Sequence, residues 1–241
     1  MDTYNHFAHL YDAAMDDPRP KIARLAGLIK RYRPGATSLL ELGCGTGTML
    51  AGLAGIDRMV GIDRSPQMLQ IAAAKVPAAQ LIEGDITAFE LAERFDVVIC
   101  VFDTLNHLTH FAQWQALFRA TQRHLADDGL FIFDVNTRAK LRGVAQFAPW
   151  HTQIGDATVI QSVEPPIDGL SIWNVWIVEP CSDGSYIGHH EQIGELGVEL
   201  PRIEEALDAA GLRVLAQRDE TGARPTDRSD RVHFAARKRG R

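Results

Sequence analysis

The stretch Leu39-Leu40-Glu41-Leu42-Gly43-Cys44-Gly45-Thr46-Gly47-Thr48 decides how this 241-residue chain is read. Ser38, Leu39 and Leu40 supply the apolar run of a buried strand, Glu41 sits where it ends, and glycines follow at Gly43, Gly45 and Gly47. Without a Cβ, glycine takes φ > 0 and leaves amides uncovered where a strand turns sharply into a helix beside a ligand. A dinucleotide fingerprint spaces its glycines G-x-G-x-x-G and would put the third at position 48, where this chain has Thr48. The loop suits a nucleotide-like cofactor. It also suits an ordinary strand, turn and helix in which glycine serves geometry alone.

Three further strands repeat the pattern. Met59 to Asp63 ends in an acid about 20 residues beyond the first glycines, the spacing of a ribose-binding carboxylate. Asp63 is therefore expected to accept from both ribose hydroxyls. Ser65-Pro66 then opens a helix, with serine as cap and proline at the first helical position, and Met68 and Leu69 turn back to the sheet. Gln80 to Ile86 is an apolar strand closing on Gly84-Asp85. Phe95 to Phe102 is nearly all apolar, as in a parallel strand covered on both faces, and it runs into Asp103-Thr104-Leu105-Asn106-His107-Leu108. Ligands of open α/β sheets bind beyond the carboxyl ends of the strands, so that loop should lie at the reacting centre.

The G-x-G-x-G spacing with an acid two residues ahead resembles motif I of the class I S-adenosylmethionine (SAM) methyltransferases. From about Tyr4 to Lys238 the order of segments is similar to small-molecule members of that class, including YNHFAHLYD near the N-terminus and Gly129 to Asp134 as strand five. CVFDTLNHL resembles the matching loop of sugar and amine N-methyltransferases, where a histidine precedes leucine; His107 holds that place. The segment between strands five and seven departs from the nucleotide-sugar enzymes. The resemblance implies an α/β fold: a Rossmann-like class I methyltransferase sheet with helices on both faces and an antiparallel β insertion. It implies SAM as cofactor and S-adenosylhomocysteine as product. Glu41 would hold the ammonium through ordered water, and loop amides would meet the carboxylate. Asp85 would accept from the adenine amine, with the backbone of Ile86 facing a ring nitrogen. The implied cofactor set also takes in Tyr4, Tyr11, Gly43, Cys44, Gly45 and Gly47, together with Asp63, Arg64, Met68, Gly84 and Val101.

Composition agrees with one enzyme of ordinary core size. Hydrophobic residues make up 46% of the chain, enough for a globular core. A net charge of -6 argues against broad phosphate-backbone binding, so no nucleic-acid partner is expected, and the basic run Arg237 to Arg241 reads as a solvated tail. Cys44, Cys100 and Cys181 are an odd set without metal-ligand spacing, so neither disulfides nor a metal is expected. No run of ~18 apolar residues and no basic-then-apolar leader is present, which points to a cytoplasmic protein without membrane partners. Monomer and homodimer both remain open.

Helices are expected near Lys21 to Arg33, Gly47 to Ala54, Pro66 to Ala74, Phe111 to Leu125 and Pro201 to Ala210, with breaks at Pro34-Gly35 and Asp128-Gly129. The last strand, near Val232 to Ala236, is expected by resemblance to run antiparallel. From Trp150 to Leu196 the pattern turns to β, with strands at Ala157 to Val163, Leu170 to Val178 and Ser185 to Gly194 and turns at Asp168-Gly169 and Asp183-Gly184. The division is a lid and SAM-binding core over 1–136, a substrate-binding insertion over 137–196, and completion of the core sheet over 197–241. Trp173 and Trp176 point to opposite faces, so at most one should line a pocket.

The expected reaction is displacement of a sulfonium methyl by a small-molecule acceptor, with an amine as first choice. A neutral His107 could take the amine proton, or anchor the loop structurally. Tyr11, beside Asp12, could touch the methionine end or guide the acceptor. One alternative is a metal-assisted O-methyltransferase using Asp103, Asp134 and Asn136; Val135 interrupts the adjacent acid-amide pair such enzymes are expected to have. The other is a SAM-binding regulatory protein without turnover.

Overall fold

The computed structural model describes residues 5–147, 149–226 and 228–239, so Tyr4 lies outside the described residues. The chain opens with α1 (Ala8–Ala14), α2 (Arg19–Tyr32), β1 (Ser38–Leu42), α3 (Thr48–Gly52), β2 (Arg58–Asp63) and α4 (Pro66–Lys75). It continues with β3 (Gln80–Glu83), β4 (Phe95–Cys100), a 3-10 turn (Thr104–His107), α5 (Phe111–His124), β5 (Leu125–Asn136) and α6 (Arg138–Val144). Four strands follow, β6 (Trp150–Ile154), β7 (Ala157–Val163), β8 (Leu170–Pro180) and β9 (Tyr186–Leu196), and then α7 (Leu200–Ala209), β10 (Leu212–Asp219) and β11 (Arg231–Lys238).

Strand parity distributes the core. Leu40, Leu42, Val98 and Cys100 point to one face, where they pack with Trp114 and Phe118 of α5. Their sequence neighbours Leu39, Val97 and Ile99 point to the other, against Leu25 of α2 and Met49 of α3. Both faces are therefore dry, which is why β1 and β4 read as continuous apolar runs rather than alternating ones. The seven-stranded sheet has the order β3-β2-β1-β4-β5-β11-β10; β1 to β5 are parallel, and β11 runs antiparallel to β5 and to β10. The chain moves outward from β1 through β2 to β3 and then returns to β4 on the other side. A crevice opens at that reversal, beyond the carboxyl ends of β1 and β4.

The base of the same strands is tied by Asp96. Its carboxylate accepts from Thr37 N (2.9 Å), Ser38 N (3.2 Å) and the Arg33 guanidinium (2.5 Å). Burial opposes the ionised form, but the Thr37 and Arg33 hydrogen bonds prevail and bring the carboxyl to about 2. A depressed carboxylate stabilises the fold above its unfolded value and loses that contribution as pH falls through the folded one. Asp96→Asn is accordingly expected to cost about 2 kcal/mol in urea unfolding at pH 7, with the difference from wild type vanishing toward pH 2. An equal cost at both pH values would refute the ionic origin.

The second sheet, β6-β7-β8-β9, is antiparallel throughout. Its hairpins turn where expected: Asp168 and Gly169 both have φ > 0 (+51° and +89°), as a two-residue primed turn demands. Phe7, which caps α1, and Leu10 within it pack on one face of this sheet, among Val159, Val175, Ile177 and Ile193. Of the two tryptophans, Trp173 leans on that cluster and Trp176 stacks on His190 with centroids 4.7 Å apart. No helix is long and apolar enough to cross a membrane among the described residues.

Several boundaries differ from expectation. Helix α3 starts at Thr48 because Gly47 is its left-handed cap (φ +76°). Strand β4 stops at Cys100, since Phe102 and Asp103 take φ of +59° and +52°. Asp128-Gly129 does not separate α5 from β5; it lies within the strand, where the pairing with β4 shifts between Phe95 and Val97. Strands β6 and β10 and helix α6 were not expected. Both strands carry polar residues on partly exposed edges of their sheets, where burial imposes no clear alternation.

Candidate active site

The glycine loop after β1 is held by backbone and by one acid. Gly43 N and Cys44 N both donate to Ile62 O (2.8 and 3.0 Å), which ties the loop to the end of β2. Asp63, the last residue of β2, accepts from Gly45 N at 2.8 Å through one oxygen and from Ser65 N at 2.9 Å through the other. The carboxylate thus braces two turns and still has lone pairs on both oxygens. Gly45 has φ +50° and a Cβ there would meet nothing within 4 Å, so its face is open. Gly43 is constrained instead: a Cβ would sit 2.4 Å from Thr104 Cγ2.

Two adjoining cavities of about 300 Å³ each share Tyr11, Gly43, Gly45, Phe102 and Thr104. One runs past Asp63, Arg64, Met68, Gly84 and Ile86, and ends against His107, Thr109 and the β9 residues Gln192 to Gly194. The other is bounded by Asp12, Glu41, Cys44, Thr46 and Lys75. Gly47, Asp85 and Val101 line neither. Gly47 serves packing, with its Cβ position 3.1 Å from Ala72 Cβ and Val76 Cγ2. Asp85 accepts from Thr87 N and Oγ1 at 2.8 Å each, as an Asx turn, and Val101 is buried with its carbonyl bonded to Thr104 Oγ1.

Helix α1 closes the cavities from above. Asp12 accepts from Lys75 Nζ (2.5 Å) and from Thr46 Oγ1 (2.6 Å) in the glycine loop, and Asn5 Oδ1 accepts from Ser65 Oγ (2.8 Å). This anchoring was not foreseen from sequence, although the YD pair marks its location.

The electrostatics favour a cation. Burial, then Asp103, Asp63, Asp12 and Glu41, pushes the Tyr11 phenol up, so it stays protonated. Glu41 is 3% exposed and its Oε2 has no hydrogen-bond partner; burial and then Asp63 raise its carboxyl well above the ordinary range. Leu50 N–H donates to the carboxyl, and the oxygen left unsatisfied at the cavity wall is suited to a ligand bearing a positive charge. His107 is lowered from the ordinary imidazole value by burial, while Asp103, the Gly194 backbone and Asp63 work the other way. Its ring is therefore neutral at physiological pH and able to accept a proton.

Asp103 and Asp134 both face a guanidinium. Arg231, at the start of β11, bridges them at 2.5 Å and 3.1 Å, and Asn136 donates its amide to Glu195 (2.9 Å). Of the three ligands named for the metal-assisted alternative, Asp103 and Asp134 are engaged by this guanidinium and Asn136 by Glu195. Among the described residues no group of three or more His, Cys, Asp or Glu is arranged to hold a metal ion. Arg231 was missed because no local motif announces it; only the pairing of β11 with β5, which sets Arg231 opposite Asn136, brings it here.

An open sheet with an acid at the tip of β2, a glycine loop at the tip of β1 and paired cavities at the strand reversal fits SAM. Asp63 would meet the ribose, and Glu41 and the loop amides the methionine end. Comparison with known proteins agrees. The family described as "Methyltransferase domain" matches residues 39–129. The chain belongs to the class I SAM-dependent methyltransferases. It is 32% identical to a protein of Geobacillus sp. (strain WCH70) that carries a methyltransferase name, over 98% of this chain and 100% of that one. It is 35% identical to the dTDP-3-amino-3,6-dideoxy-alpha-D-glucopyranose N,N-dimethyltransferase of Streptomyces fradiae, over 55% of this chain and 54% of the relative. Its fold is similar to that of a SAM-dependent methyltransferase from Clostridium acetobutylicum ATCC 824, with TM-score 0.87 and 23% identity over 98% and 99% of the two chains.

Proposed function

We propose that this methyltransferase acts on a small-molecule amine. The observation that carries the reading is a His107 kept neutral by burial, on the wall of a cavity where Asp63 and Arg64 also lie and where the Tyr11 hydroxyl stands in the field of Asp103, Asp63, Asp12 and Glu41. An ammonium is attracted to such a site, and His107 can take its proton at the point of reaction. Arg231 is spanned by two carboxylates and so offers no strong hold on an anionic acceptor. Similarity to the S. fradiae aminosugar enzyme supports the same chemistry over the matched half of the chain.

SAM, when bound, supplies an electrophilic methyl on a sulfonium. The chain's residues do the rest. Asp63 would fix the nucleoside and the loop of Gly43 and Gly45 the methionine end; α1 would exclude water; His107 accepts a proton from the acceptor nitrogen, whose lone pair forms the new C–N bond as the C–S bond breaks. Alignment and exclusion of water carry much of such an acceleration. Residues 137–196 act in this reading as the acceptor-selecting insertion, through the β9 segment Gln192 to Gly194. The three free cysteines suit the reducing cytoplasm.

The test is incubation of the protein with SAM and a library of primary amines, secondary amines, alcohols and carboxylic acids, read by mass spectrometry. Amines are expected to gain one or two methyl groups. Products confined to hydroxyl or carboxylate acceptors would overturn the amine assignment, and SAM binding without any product would favour a regulatory protein.

A further inference from the structure

Phe102 and Asp103 are consecutive non-glycine residues in the left-handed region, with φ of +59° and +52°. L residues adopt that conformation at a cost, and it persists where the surroundings over-determine it. Here they do. The Asp134 carboxylate accepts from the backbone N–H of both residues, at 3.3 and 2.7 Å. Arg231 then locks Asp134 to the Asp103 side chain, at 3.1 and 2.5 Å. The outcome of this fixation is specific: an Asp103 carboxylate oxygen stands 4.0 Å from His107 Nε2, with the two side chains only 19% and 26% exposed.

We propose that Asp103, held by Arg231 and Asp134, is the positioning residue for His107, supplying the counter-charge to the imidazolium that forms when His107 accepts the acceptor's proton. This rests on the reading of His107 as base. Arg231 has a double part. Against the effect of burial it keeps Asp103 ionised, and its own charge tempers the field of Asp103 on the imidazole, so the ring stays neutral before transfer. The groups around the imidazole are Asp103 on its own segment, Asp63 at the end of β2, Arg231 on β11, the Gly194 backbone on β9 and the Tyr11 hydroxyl on α1. Glu195 on β9 completes the surroundings of the ion cluster: burial, then Asp103, lifts it to about 8 while Asn136 donates to it.

The experiment follows the ring of His107 by 15N NMR across pH in the intact protein, its signal identified by loss in His107→Asn. Asp103→Asn removes the anion that favours imidazolium, so the His107 titration should move down by about one pH unit. The acid limb of kcat/KM should follow it, and plateau kcat should drop roughly tenfold. Asp103→Glu should recover part of both effects. SAM affinity and Tm, measured on each variant, separate this from misfolding. A His107 titration unmoved in a folded, SAM-binding Asp103→Asn protein overturns the proposal. An additive loss in the double variant His107→Asn/Asp103→Asn overturns it too, because a residue acting through His107 has nothing left to act on. Full turnover with an unchanged acid limb in His107→Asn would instead remove the base reading, and this proposal with it.

Discussion

Asp63→Ala is expected to weaken SAM binding roughly 100-fold in isothermal titration calorimetry, the loss of about 3 kcal/mol. Two effects add. The carboxylate is the group placed to accept the ribose hydroxyls, and charge-assisted hydrogen bonds of this kind are the strong ones. It also holds the amides of Gly45 and Ser65, so its removal loosens both the glycine loop and the start of α4. Gly45→Val should reach a similar loss differently, since the added side chain projects into the open face of the loop and φ of +50° strains it. Unchanged affinity in both variants would mean that the cofactor binds elsewhere.

His107→Asn is expected to keep SAM affinity within about twofold and to lower kcat by roughly 100-fold, the usual scale of a lost general base. The side chain lies at the end of the cavity that faces β9, beside the acceptor rather than among the groups that hold the cofactor in this reading, which is why binding and turnover should separate. The pH dependence has a defined sign. Burial lowers the His107 pKa below its ordinary 6.5, so wild-type activity should hold through neutral pH and fall only in the acid range as the ring protonates. Steady-state rates from acid to alkaline pH, with saturating SAM, give the check. If His107→Asn turns over at the wild-type rate, the histidine merely anchors its loop.

Much of the fold was legible because it obeys local rules. The runs at Leu39 and Phe95, the cap at Ser65-Pro66 and the turn at Asp168-Gly169 each state their conformation in a few neighbouring residues. The acid at the tip of β2 was legible by spacing. What escaped was set by partners distant in the chain. Arg231 meets Asp103 and Asp134 from 128 and 97 residues away, and nothing around Arg231 in the sequence shows that two carboxylates await it. The strand β10 escaped for a related reason: as the outer strand of its sheet it alternates weakly, and Leu212 is its only buried apolar residue. The left-handed turn at Phe102 and Asp103 went unseen because glycine, the usual signal for φ > 0, is absent there.

Asn106, wholly buried, carries a consequence for how such a protein can be altered. Its amide nitrogen donates to the carbonyls of both Asn136 and Leu196 (2.9 and 3.0 Å), and its oxygen accepts from Asn136 N (2.9 Å). Those two residues are where the chain departs from β5 and where β9 ends, so a single side chain clasps the beginning and the finish of a sixty-residue excursion. In the terms of a grafting experiment, Asn106 is a latch on the four-stranded sheet, beside the Asn136–Glu195 hydrogen bond and the packing of α1 on that sheet. A segment grafted in its place would have to meet Asn106 in the same way and offer α1 an apolar face to pack on.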